Sequence, residues 1–198
     1  MASSSSTQPA LMALMLEVLD VDDGHRVLEI GTGTGYNAAL LSHRPGAKAV
    51  TPIDIDPTVV TDARTRLEAT GYTPTVALAD AGAGYPANAP YDRIIATVSV
   101  PKIPYAWVQQ TRPGGKLLTH LYRTLDAGGL LLATVDDSGR CAHGTFLPDY
   151  GSFMPLRSIV RPDGLTLLQH ALRSPAGTRR HSTPGARHHP RSHPAGSA

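Results

Sequence analysis

Three glycines at alternate positions, Gly31, Gly33 and Gly35, and a carboxylate two residues ahead of them, Glu29, are the residues of this chain best spaced for chemistry. They stand in the run Val27-Leu28-Glu29-Ile30-Gly31-Thr32-Gly33-Thr34-Gly35-Tyr36. The four residues before the glycines read as a short buried strand, and Tyr36-Asn37-Ala38-Ala39-Leu40-Leu41 starts a helix. Strand, glycine turn and helix open a doubly wound α/β domain, in which ligands bind at the carboxyl ends of the strands. Glycine suits such a turn because the backbone must approach the ligand closely and adopt positive φ. The spacing sets the charge of the ligand. A dinucleotide fingerprint is G-x-G-x-x-G, but its third glycine position holds Tyr36 here. The pattern is E-x-G-x-G-x-G, and a carboxylate at its head would repel a pyrophosphate and attract a cation. A turn that only joins strand to helix is the plainer alternative.

The elements that must position this turn can be read from periodicity and punctuation. Pro9 to Asp20 reads as an amphipathic helix, with Leu11, Leu14, Met15, Val18 and Leu19 on one face. Pro9 suits its first turn, and Ser6 or Thr7 is placed to cap it. A second strand, Ala49 to Ile53, contains Pro52 and ends at Asp54. An acidic side chain there accepts hydrogen bonds from ribose hydroxyls. Asp56-Pro57 opens the next helix as cap and first-turn proline, which leaves Asp54 as the ribose candidate. Val59, Val60, Ala63 and Leu67 give that helix its apolar face. Thr75 to Ala79 reads as a third strand, followed by Asp80-Ala81, where Asp80 is either a loop cap or a ligand residue. Tyr91 to Thr97 is a fourth strand, Pro104 to Gln110 a short helix and Leu117 to Tyr122 a fifth strand. Gly128 to Val135, the turn Asp137-Ser138-Gly139 and a return over Cys141 to Leu147 predict an antiparallel finish.

Composition narrows the class. The 198 residues are enough for one domain with a real core. The single cysteine, Cys141, excludes an internal disulfide and a cysteine metal cluster. The first residues have no basic segment followed by an apolar one, and the longest apolar runs are far too short to span a membrane. A soluble, cytoplasmic protein is the simplest expectation. The net charge of +2 is misleading, because four arginines and no acid lie from Ser174 onward. The preceding body is slightly acidic, which argues against a nucleic-acid groove. Residues 1–173 are expected to form the domain and 174–198 a disordered Arg/Pro/His-rich tail that cannot bury enough surface to order itself. Its histidines, His181, His188, His189 and His193, are expected to bind metal only adventitiously.

S-adenosyl-L-methionine carries an ammonium and a sulfonium and no phosphate, and the Glu29–Gly35 run resembles motif I of the class I methyltransferases. Further segments carry a narrower resemblance. Thr7-Gln8-Pro9, the run Leu28 to Ala39, Pro90 to Thr97, the Pro101 to Pro104 turn and Arg112 to Leu118, in this order and spacing, resemble the protein-L-isoaspartate O-methyltransferases. The resemblance covers roughly residues 6 to 156. His143 to Leu147 and Phe153 to Leu156 are similar to a branch in actinobacterial peptide-maturation clusters, whose members methylate aspartates of ribosomally made peptides. It implies an α/β, Rossmann-like seven-stranded sheet with helices on both faces and an antiparallel last strand. It also implies methyl transfer to a carboxylate of an isoaspartyl or aspartyl residue in a protein or peptide, by a monomer, with no nucleic acid or membrane partner. On this resemblance Glu29, Gly31, Thr32, Gly33, Gly35, Asp54, Ile55, Asp80, Ala81 and Thr97 hold the cofactor. Thr7 matches the family's hydroxyl residue at the acceptor, its alternative being a helix cap, and Ser99 is a second acceptor-side candidate.

Two departures from the family pattern stand out. The chain begins almost at Thr7-Gln8-Pro9, where family members carry some tens of preceding residues, so a chain truncated at the N-terminus is expected. Thr119-His120-Leu121 replaces a small Pro-Val-Gly turn at a strand end, which makes His120 either an acceptor-site residue or a core histidine. Three functions stay open on the sequence: a carboxyl methyltransferase, a class I methyltransferase with another acceptor, and a cofactor-binding fragment without activity.

Overall fold

The sequence places an amphipathic helix first, and the computed structural model, which describes residues 6–122, 128–148 and 153–156, has helix α1 over Pro9–Leu19. The described residues belong to one compact unit. The expected boundary at 173/174, the tail and its histidines lie outside them. Met12, Met15 and Leu19 make a buried stripe on α1. Its cap differs from the expectation: Gln8 is the N-cap residue, and no side chain bonds the first turn. Ser6 Oγ pairs instead with Thr34 Oγ1 at 2.8 Å, tying this segment to the glycine turn. Asp20 ends α1 in the left-handed region, and its N–H returns to Leu16 O and Glu17 O.

The first half of the sheet follows local signals closely. Strand β1 is Val27–Ile30, helix α2 Tyr36–His43, strand β2 Val50–Asp54 and helix α3 Pro57–Ala69. Asp56 caps α3, its carboxylate accepting from Thr58 N and Val59 N, and Val59, Val60, Ala63 and Leu67 are buried. Strand β3 is only Ala77–Leu78, shorter than the sequence implies, because it is the edge and pairs with Ile53 and Asp54 alone. The same shortness accommodates Pro52. It sits opposite Glu29 of β1, and β3 does not reach it on the other side.

The second half depends on long-range pairing. Strand β4 is Tyr91–Val100, helix α4 Tyr105–Gln110, strand β5 Thr111–Tyr122, strand β6 Gly128–Val135 and strand β7 Ala142–Phe146. The sheet order is β3-β2-β1-β4-β5-β6-β7, with β5–β6 and β6–β7 antiparallel and the other pairs parallel. This is the expected doubly wound, Rossmann-like sheet with an antiparallel finish. β4 outruns its expected end at Thr97, because Ser99 and Val100 pair with His120 and Leu121 after an irregularity following Ile95. β5 begins early, at Thr111. Its proline–glycine turn survives as a bulge between the Tyr91–Thr111 and Arg93–Lys116 pairs.

Helices cover both faces. Met15 and Leu19 of α1 and Leu41 of α2 pack on Val27, Ile95 and Leu118. Trp107 and Val108 of α4 pack on Leu28, Ile94 and Leu117. Neighbouring strand residues divide between the two cores, as a period of two requires. Ala38 of α2 meets Val60 and Leu67 of α3. The C-terminal end of α1 is held by the buried Arg93 of β4, which donates to Leu19 O at 2.8 Å and to Asp20 O at 2.9 and 3.0 Å. Lys116 of β5 reaches Asp20 Oδ2 at 2.9 Å. This strut fixes α1 across the sheet, and with it the Ser6–Gln8 segment at the other end.

Candidate functional site

Glu29 is the third residue of β1, so alternation turns it to the α1 face, where its side chain is fully buried. Asn37, the second residue of α2, donates to Glu29 Oε1 at 2.8 Å. Oε2 has no hydrogen-bond partner. Burial, with a smaller contribution from the Asp54 charge, pushes the carboxyl up to about 8 against the opposing Asn37 bond. Thr32 Oγ1 and Asn37 Oδ1 are also buried without partners. Native interiors leave few such atoms. Three of them border one small pocket, whose walls include Ser6, Thr7, Gly31, Tyr36 and Thr97. Three oxygens without partners on the residues of one pocket suit an ammonium group, which the Glu29 carboxyl would accept from once ionised.

The glycine turn lies beside this pocket. Gly31 has φ +90°, and a Cβ there would come within 2.8 Å of Val98 Cγ1 and 3.1 Å of Thr97 Oγ1. Gly33 and Gly35 also have positive φ, and Gly35 begins α2 without a side-chain cap. Thr97 Oγ1 donates to Gly31 O at 2.7 Å, so its hydroxyl locks the end of β4 to the turn. Asp54 is placed at the tip of β2. Its Oδ2 accepts from Gly33 N at 3.3 Å and its Oδ1 from Asp56 N at 3.2 Å. A carboxylate has further lone pairs, which leaves capacity for ligand hydroxyls. Ile55 beside it is an exposed apolar side chain.

Asp80 and Ala81 follow β3. Asp80 Oδ1 accepts from Gly82 N at 2.9 Å, so the loop-cap reading of this residue holds, and Oδ2 makes no protein bond among the described residues. Ala81 is buried and its carbonyl accepts from Trp107 Nε1 at 2.6 Å. Gln110 of α4 bonds Tyr85 N at 2.7 Å and Ala83 O at 2.8 Å. Two side chains of one short helix therefore hold the whole Ala81–Tyr85 loop.

The acceptor-side candidates separate. Thr7 lines the pocket with Glu29 and caps nothing. Ser99 is buried, and its hydroxyl donates to Phe153 O at 3.0 Å, fastening the segment Phe153–Leu156 across the end of β4. Sequence reasoning missed Asn37, Trp107 and Gln110. Asn37 left a signal, a buried polar residue on a helix face that also buries Ala38 and Leu41. The other two left none, because their partners are backbone atoms far along the chain. Among the described residues no group of three or more His, Cys, Asp or Glu could hold a metal ion, and no helix is long and apolar enough to cross a membrane.

Comparison with known proteins bears on the same region. A family model for protein-L-isoaspartate(D-aspartate) O-methyltransferase (PCMT) matches residues 1–125. A protein-L-isoaspartate O-methyltransferase from Methanopyrus kandleri is 40% identical over 114 residues, 56% of this chain and 50% of that protein. A protein-L-isoaspartate O-methyltransferase 2 from a Polaromonas species is 35% identical over 151 residues, 76% of this chain and 70% of that protein. The chain spans about half the length of several of the relatives it matches. A solved protein-L-isoaspartate O-methyltransferase superposes with TM-score 0.71 at 30% identity, covering 84% of this chain and 51% of the other. A Plasmodium falciparum structure described as a putative member, in complex with S-adenosyl-L-homocysteine, shares the fold, with TM-score 0.68 at 16% identity over 80% of this chain and 78% of the other. With the glycine turn, the sheet order and the matched residues in agreement, the chain belongs to the protein-L-isoaspartate O-methyltransferase family.

Proposed function

We propose that the chain transfers a methyl group from S-adenosyl-L-methionine to the free carboxylate of an isoaspartyl or aspartyl residue in a protein or peptide. The observation that carries this reading is Glu29, a buried carboxyl with one unpartnered oxygen at the head of the glycine turn. Glu29, Thr32 and Asn37 would accept from the ammonium of the cofactor. Gly31, Gly33 and Gly35 would let the backbone lie close to it, with Thr97 bracing the turn. Asp54 would take the ribose hydroxyls, Ile55 one face of the base, and Asp80 with Ala81 its far edge. Thr7 and Ser99 would border the acceptor. When bound, the cofactor supplies a methyl carbon on a cationic sulfur, and the electron pair of the broken C–S bond stays on that sulfur.

The rest is the work of the chain's own groups. An acceptor carboxyl with an ordinary pKa near ~4 is ionised at pH 7 and brings its own lone pair, so no strong base is required. Orientation and exclusion of water are what remain, and orientation can supply several kcal/mol. On an isoaspartyl acceptor the ester then loses methanol as the following backbone nitrogen closes a succinimide, which water reopens partly to normal aspartate. The setting this reading expects is a cytoplasmic monomer acting on protein or peptide acceptors.

Calorimetry with S-adenosyl-L-homocysteine tests the cofactor half of the proposal. Binding is expected, and a folded sample that takes up none would sink it. Mild base tests the other half: label transferred to a carboxyl is released as methanol, whereas label on nitrogen stays.

A further inference from the structure

Five buried side-chain polar atoms lack a hydrogen-bond partner among the described residues. Three of them, on Glu29, Thr32 and Asn37, are accounted for by the pocket above. Thr119 Oγ1 is the fourth, on a β5 residue that by alternation with Leu117 faces the α4 side. The fifth is His120 Nδ1, on a residue 6% exposed near the end of β5.

The position of His120 gives this orphan a meaning. Leu118 belongs to the core under α1, so His120, two residues on, faces the same side. On β4 that side carries Ile95 and then Thr97 and Ser99, and Ser99 pairs directly with His120. One face of the sheet's carboxyl edge therefore reads Glu29 on β1, Thr97 and Ser99 on β4, and His120 on β5. At about 4.8 Å per strand, His120 stands two strands, roughly 10 Å, from the strand of Glu29.

Charge divides this edge. Asp80 follows β3, Asp54 ends β2 and Glu29 lies in β1. These three carboxyls suit a cation and hydroxyl groups, and would repel an anion. The ends of β4 and β5, Thr97 to Lys102 and Thr119 to Tyr122, hold no acid. An anionic acceptor belongs on that half. Phe153 walls it, with its ring centroid 6.0 Å from that of His120. The ring is also closely fitted, since a Cβ on Gly128 would come within 2.8 Å of His120 Cε1.

We propose that His120 is an acceptor-binding residue, whose imidazole N–H donates a hydrogen bond to one oxygen of the acceptor carboxylate and leaves the other free for methylation. This rests on the carboxyl-methylation reading above. Burial lowers the affinity of the ring for a proton and so favours the neutral form. A neutral donor orients a carboxylate without cancelling the charge that makes it a nucleophile.

The test is binding of an isoaspartyl peptide to the full chain saturated with S-adenosyl-L-homocysteine. His120→Phe keeps the ring volume and removes the donor, and His120→Asn keeps an N–H near the Nδ1 position. His120→Phe is expected to weaken peptide binding about tenfold or more, with S-adenosyl-L-homocysteine affinity unchanged, and His120→Asn to recover most of the loss. In the wild-type chain the imidazole 15N resonances of His120 are expected to shift when peptide is added, a readout that needs no variant to fold. Peptide binding by His120→Phe equal to wild type, or unmoved imidazole resonances in a chain that binds peptide, would overturn the proposal and leave the methyltransferase reading standing. A wild-type chain that binds S-adenosyl-L-homocysteine but no isoaspartyl or aspartyl peptide would overturn both.

Discussion

Glu29 is the most expensive residue of the site in the absence of ligand, and its cost depends on pH. Unfolded, its carboxyl titrates near 4.5; folded, burial moves it up to about 8. Between those values the folded chain keeps a proton that the unfolded chain has released. Stability therefore falls as pH rises through this window and levels off above it, by on the order of a few kcal/mol. Glu29→Gln, which cannot ionise, is expected to melt higher than wild type at pH 8 and equally at pH 4, while losing at least ~10-fold in S-adenosyl-L-homocysteine affinity. Parallel melting curves for the two proteins across that range would show that the carboxyl is not held protonated. Ligand uptake reverses the cost. An ammonium beside Oε2 favours the carboxylate, so binding at pH 7 is expected to release up to one proton. Calorimetry in buffers of different ionisation enthalpy reads that number directly. Glu29 and the glycines were legible in the sequence because their meaning is local. Asn37 was legible only as an anomaly, since its partner lies eight residues back on another element.

At the scale of elements, two devices hold the site. The first is the strut on α1, where Arg93 satisfies carbonyls at the end of the helix. Arg93→Met leaves those buried oxygens unpaired and is expected to cost about 2–4 kcal/mol in urea unfolding. A change within a few tenths of a kcal/mol would mean that packing alone holds α1. The second is α4, which holds the loop after Asp80 through Trp107 and Gln110. Trp107 is the only tryptophan of the chain, so its fluorescence reports on that loop. S-adenosyl-L-homocysteine is expected to change its emission, and Trp107→Phe to weaken binding by about 1–2 kcal/mol. Unchanged emission at saturation would remove the loop from the binding site. Elements whose signals are sequential, such as α3 with its Asp56 cap, were readable residue by residue. β4 was not, because its last three residues are strand only by virtue of pairing with β5 and with the Phe153–Leu156 segment. β3 erred the other way: a propensity for strand over five residues finds only two partners at a sheet edge.

Across the whole described unit, charge and topology agree on a division of labour along one edge of the sheet. Carboxyls gather on the β3-β2-β1 half, where a cationic ligand with hydroxyls would lie, and none stands at the ends of β4 and β5. Sequence order could not show this, since β1 lies between β2 and β4 only after folding. It could show the family, because Thr7-Gln8-Pro9, the glycine turn, Pro90 to Thr97 and Arg112 to Leu118 all fall within the region that the family model matches. The first measurement to make is transfer of labelled methyl from S-adenosyl-L-methionine to two peptides that differ only in one isoaspartyl or aspartyl linkage, counting base-labile label. Label on the isoaspartyl peptide, or on both, is the predicted result. Label on neither, or label that resists mild base, would contradict carboxyl methylation as the function of this chain.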